Sequence, residues 1–167
     1  MSPFFISQIL ASITLIIGMA AFQSKERNTI LRGWFMAAMF ASAHFYFLGM
    51  IEACLLVAII GVRFLVSSFT QDRRLMFLFM AISFGAYIYT YDNPVSLLAL
   101  IAAIIGTWGS FQKSQSTVRL TMMSTEVLWV IHNIIIWSPV AVGMELLFFS
   151  SNMIGFLRHR KAMGSVL

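Results

Sequence analysis

The sequence predicts an all-α membrane protein with seven transmembrane helices, on three observations. Apolar residues make up 60% of the chain and charged residues 10%, with a mean hydropathy of +0.89. Soluble domains hold about 45–50% and about 25%. The charges gather in short clusters between apolar runs, each about as long as a helix rising about 1.5 Å per residue needs to cross a hydrocarbon core of about 30 Å. Finally, Lys and Arg occupy alternate connections between those runs, as the positive-inside rule requires of a multi-pass chain.

The first run, 4–22, lacks Lys or Arg ahead of its apolar core, so it reads as a span and not as a cleaved leader. Spans two and three are 30–49 and 50–69, and Lys25, Arg27 and Arg32 lie between spans one and two or at the start of two. Span four, 75–91, follows Arg73 and Arg74, and span five, 94–111, precedes Lys113 and Arg119. Spans six and seven, 118–137 and 139–157, end at Arg158, Arg160 and Lys161. These clusters put the N terminus outside and the C terminus inside, as an odd number of spans also demands. Tyr87, Tyr89, Tyr91 and Trp137 then fall at the outer interface, and Trp34 and Trp108 read as inner anchors. Pro3, Pro94 and Pro139 stand at outer starts of spans, where a missing N–H costs least, and no proline interrupts a span. The net charge of +5 forms no basic face, which argues against nucleic acid as a partner. The lone Cys54 has no disulfide partner within the chain.

The chain also repeats itself. AAFQSKERN from Ala20 aligns with GSFQKSQST from Gly109, so that Phe22-Gln23 meets Phe111-Gln112 at an offset of 89. His44 meets His132 at an offset of 88, and GVRFL from Gly61 meets MIGFL from Met153 at 92. Two copies of a three-helix unit are implied. One extra crossing between them restores the second copy to the orientation of the first, giving a 3+1+3 plan with parallel repeats. The expected units are 1–69, a linking helix in 70–92, a second repeat in 93–161 and a short cytoplasmic tail, 162–167. A chain that holds both units allows a functional monomer.

This plan resembles that of the SWEET and SemiSWEET transporters, and the terminal glutamines of spans one and five resemble those of PQ-loop proteins, with Phe22 and Phe111 where proline would stand. HFYFLG, TWGSF and LWVIHN, followed by Glu145 and Asn152, resemble the YgjV-type bacterial inner membrane proteins over nearly the whole chain. That resemblance implies a bacterial inner membrane location and a SWEET-like architecture, and leaves the substrate open. The family pattern implies an Asn three residues before the arginine of span three, where this chain has Ile60 before Arg63. A symmetric asparagine pair is therefore missing, and Asn152 stands alone.

Charge inside a span costs about 2.5–3.5 kcal/mol on insertion scales and requires a partner, a wet cavity or neutralisation. Glu126, Trp129 and Asn133 share one face of span six, and Glu145 and Asn152 one face of span seven. All five are the expected lining of a mid-membrane pocket for a small solute. Trp129 offers a stacking surface, the asparagines bond hydroxyls or amides, and a carboxylate carries a proton or faces a cation. His44 and His132 read as shared architecture, with His132 level with Glu145 and expected to pair with it. Arg63, near the inner end of its span, is expected to snorkel to phosphate. Glu52 and Asp92 read as solvated loop residues.

Two function classes follow. One is a SWEET-like transporter of an undetermined small solute, and the other a non-transporting membrane ligand-binding or scaffold protein, favoured by the lack of proline hinges. No enzyme motif is present. His132 and Glu145 are too few ligands for a metal, and no cofactor is implied.

Overall fold

The computed structural model describes residues 2–49, 51–90, 94–135 and 139–164. Tyr91, Asp92 and Trp137 lie outside them, and so does the side chain of Glu52. Seven helices occupy the described residues: α1 (Pro3–Ala21), α2 (Arg27–Phe47), α3 (Ile51–Phe69), α4 (Arg73–Thr90), α5 (Ser96–Ser110), α6 (Gln115–Ile135) and α7 (Pro139–Gly164).

Local chemistry sets the boundaries. Ser2 Oγ accepts the Phe5 N–H at 3.3 Å, and Pro3 opens α1 where its absent N–H is harmless. Gly49 takes φ +76°, a left-handed turn after α2 that a side chain would resist. Asp72 Oδ1 accepts the Arg74 N–H at 2.8 Å ahead of α4, and Ser114 Oγ accepts the Thr117 N–H at 3.4 Å ahead of α6.

Consecutive helices pack: α1 on α2, α2 on α3, α5 on α6 and α6 on α7. Contacts between α1 and α7 and between α3 and α5 close these six into a ring, while α4 packs on α5 and touches α3. Small residues permit the close approaches. A Cβ on Gly155 of α7 would collide with the Phe22 carbonyl at the end of α1, and one on Gly109 of α5 would collide with Thr121 of α6.

Large apolar side chains cover the outside, and ionisable and amide side chains are buried beside an apolar core of Phe22, Ile30, Leu31, Phe64 and Val118. Phe4, Ile16, Phe77, Ile88 and Ile134 face outward, while Arg27, Arg63, Arg119, Glu126, Asn133 and Asn152 are buried. Among the described residues, α1 is the one helix long and apolar enough to cross a membrane by length and composition alone. Shorter apolar stretches run over Cys54–Phe69 and Leu97–Ser110. In α2 and α6 the inward-facing arginine, glutamate and asparagine side chains dilute the apolar character.

Candidate functional site

Two buried arginines tie the ring together at the end where α1, α3 and α5 finish. Arg119 of α6 is 0% exposed and donates through Nη1 to the Phe22 carbonyl at 2.7 Å and through Nη2 to the Ser24 carbonyl. Its Nη1 also meets Asn152 Oδ1 at 3.1 Å, and Asn152 Nδ2 returns a bond to the Arg119 carbonyl at 3.0 Å. Arg27 of α2 mirrors this on the opposite seam. Its Nη2 donates to the carbonyls of Ser110 at 2.5 Å and Ser67 at 2.8 Å, and its Nε to that of Gln112. Each guanidinium thus satisfies carbonyls that a helix C-terminus leaves without intrahelical donors, and places positive charge at the negative end of the helix dipole. Gln23 completes the α1/α7 seam, donating to Ser151 Oγ at 2.8 Å while its Oε1 accepts from Arg158 at 3.0 Å.

A cavity of about 310 Å³ lies inside the ring and takes lining residues from α1, α2, α3, α5, α6 and α7. Space is created by small residues: Ala37, Ala38 and Ala41 on α2, and Ala102, Ala103 and Gly106 on α5. Large polar side chains enter from the other helices. Glu126 and Trp129 of α6, Glu145 of α7 and Arg63 of α3 all line it, and Trp34 and Phe148 form aromatic wall. The Trp34 ring centroid lies 5.1 Å from that of Phe22, 6.1 Å from Phe64 and 4.9 Å from Phe148, offset or edge-on as aromatic quadrupoles prefer.

Of the five residues expected to line a pocket, Glu126, Trp129 and Glu145 do so. Asn133 and Asn152 are not among the lining residues. Asn152 nevertheless stands within hydrogen-bonding reach of the Glu126 carboxyl across α6 and α7. Asn133 is buried with its Oδ1 3.3 Å from His132 Nδ1, and Asn152 is held by Arg119.

The expected His132–Glu145 pair is corrected. His132 turns along its own helix, stacking edge-on against Trp129 at 5.2 Å and meeting Asn133. Similar depth therefore did not produce a cross-helix contact. His44 does bridge helices, its Nδ1 lying 2.8 Å from the Ser7 carbonyl of α1. Cys54 meets Ser42, whose Oγ donates to the Cys54 carbonyl at 2.8 Å.

Arg63 departs from the expected position. It does not reach outward to phosphate: it is 6% exposed, donates through Nη1 to Thr107 Oγ1 at 3.0 Å, and lies with its guanidinium carbon 4.6 Å from the Phe64 ring centroid. The signal was its distance from the helix end, six residues before Phe69, which a stem folding back toward the interface spans only with strain. Trp34 was misplaced for the same reason, read as an inner anchor and found in the cavity wall. Trp108 is partly exposed beside Lys113 and Arg73 in a separate, more peripheral pocket of about 790 Å³.

Comparison with known proteins agrees with this picture of a membrane-embedded bundle. The family described as Imp-YgjV, bacterial inner membrane protein, matches residues 5–163. The inner membrane protein YgjV of Escherichia coli (strain K12) is similar, 26% identical over 164 residues that cover 96% of this chain and 90% of that one. No solved structure matches the chain.

Proposed function

Because the chain belongs to the Imp-YgjV family of bacterial inner membrane proteins, we propose that it is a multi-pass transporter of a small solute, with the cavity inside the helix ring as its binding site. The observation that carries this reading is that six helices share one cavity holding Arg63, Glu126 and Glu145. Intramembrane ionisable groups that face a common cavity mark a solute or ion path more often than a structural need.

On this reading all seven helices cross the membrane, with the N terminus outside and the C terminus inside, as the distribution of Lys and Arg suggests. Residues 1–69 and 93–161 are parallel repeats joined by α4. Support comes from the packing, since α1, α2 and α3 form one consecutive trio and α5, α6 and α7 another. Superimposing the trios in order exchanges the α1/α7 seam with the α3/α5 seam. It also exchanges Arg119 at the end of α1 with Arg27 at the end of α5, each arginine reaching from one trio into the other. This supports a SWEET-like plan in which two units rock against each other about a central site, and the ring encloses its cavity within one chain, so a monomer suffices.

The test is flux in liposomes of the purified protein. Counterflow of a small solute is expected, and Glu126→Gln is expected to slow it and flatten its pH dependence while the protein stays monodisperse. Flux and pH profile identical to the parent protein would remove Glu126 from the path. A second reading is ligand binding without flux. It is favoured by the clasps of Arg27 and Arg119, which pin both seams at one end, and by the absence of proline between the starts of α1, α5 and α7 and their ends. Saturable binding with no flux would establish it.

A further inference from the structure

The geometry points to a zwitterionic solute of the α-amino acid type, carrying a carboxylate and an ammonium group, as the ligand of the central cavity; this rests on the reading of that cavity as a binding site. Three buried polar atoms in its wall have no hydrogen-bond partner: Arg63 Nε, Trp34 Nε1 and Glu126 Oε2. Arg63 and Glu126 are 6% and 5% exposed, so bulk water does not satisfy them. Leaving such groups unpaired in an apolar wall is costly.

The unpaired groups divide by sign. Arg63 enters from the α3/α5 side, where its guanidinium bonds Thr107 and Ala103, while the Trp34 ring lies against Gly18 of α1 and Phe148 of α7. The guanidinium, with its Nε unpaired, suits an anion and a carboxylate in particular. Glu126 supplies an acceptor, with Glu145 as a second carboxylate on the same wall and Trp129 one turn along α6 to face a cation. Among the described residues Arg63 forms no salt bridge with Glu126 or Glu145; its side-chain hydrogen bonds go to Thr107 and Ala103. Opposite charges that line one cavity without pairing leave a gap that a dipolar solute closes. A volume of about 310 Å³ holds a molecule of that size.

The experiment measures binding and flux separately on the full chain, by calorimetry in detergent and counterflow in liposomes. The probes are the twenty protein L-amino acids in pools, then the best binder against its decarboxylated amine, its deaminated acid and glucose. The amino acid is expected to bind roughly tenfold to hundredfold more tightly than either single-charge analogue, as befits one charged hydrogen-bonding arm. Arg63→Met is expected to abolish the advantage over the amine, and Glu126→Gln the advantage over the acid. A merely structural role would instead lower all affinities together. Preference for glucose, equal affinity for the analogues, or no binding of any amino acid would overturn the inference, and glucose counterflow would leave the transporter reading standing. Selective amino acid binding without flux would uphold the inference and overturn transport.

Discussion

Arg119 has no water to turn to. It is fully buried, and its guanidinium holds carbonyls at the end of α1 together with the amide of Asn152. Replacing it by methionine strands the Phe22 and Ser24 carbonyls, each costing on the order of 1–3 kcal/mol. Arg119→Met is therefore expected to lower the thermal unfolding midpoint in detergent by more than Asn152→Ala, which removes one acceptor and one donor from the same cluster. Equal midpoints for Arg119→Met and the parent protein would refute the clasp. Asn133 lies beyond the cavity, so Asn133→Ala should leave amino acid affinity within about twofold, whereas Trp129→Ala, which removes a face available to a cation, should weaken it by roughly threefold to tenfold. Glu126 and Glu145 were legible from their types and positions, because a carboxylate deep in an apolar run needs a reason. Arg63 was not, because a long flexible side chain can turn either way from the same position and its direction is set by Thr107 on another helix.

At the scale of the element, helix number, order and approximate bounds follow from run length and punctuation, and the helices agree with the expected runs to within about three residues, except that α7 continues to Gly164, past the expected end at 157 and into the expected tail. What a run does not show is its packing partner. Ala37, Ala38 and Ala41 of α2 are apolar like the rest of their run, and their small size leaves space in the cavity that Glu126 and Trp129 line. Ala38→Leu is expected to fill that space: it should keep the protein folded, at about 1–3 kcal/mol of overpacking at most, and reduce amino acid binding at least tenfold. Retained affinity, measured by calorimetry, would place the ligand elsewhere. Gly155 packs where any Cβ strikes the Phe22 carbonyl. Gly155→Val should accordingly separate α7 from α1 and yield less monodisperse protein on gel filtration than Gly85→Val, whose position has nothing within 4 Å.

Across the whole molecule, the seams α1/α7 and α3/α5 are where a transporter of this plan must open. In a Cys54→Ser background, Gln23→Cys with Ser151→Cys joins the first seam at a point where the native side chains already touch at 2.8 Å. Cross-linking this pair is expected to stop flux, and reduction to restore it. Undiminished flux through the cross-linked protein would exclude rocking about that seam. Orientation is open to a separate measurement: single cysteines replacing Lys25 and Lys113 should both be labelled from the cytoplasmic side, by a reagent that does not cross the membrane.

The sequence by itself determined the solvent and the class of fold. Composition and run length depend on summed transfer free energies, which add along a chain whatever its neighbours. It also exposed the carboxylates, since cost in lipid is a property of the residue and its depth. The tertiary structure alone decided which polar groups meet. Asn152 is engaged by Arg119, and Asn133 by His132 of its own helix. His132 turned to its own helix, and Arg63 and Trp34 entered the cavity. Those outcomes depend on distances and rotamers between helices far apart in the chain, and hydrogen bonding and charge pairing fall off too steeply with distance to be read from position along one helix.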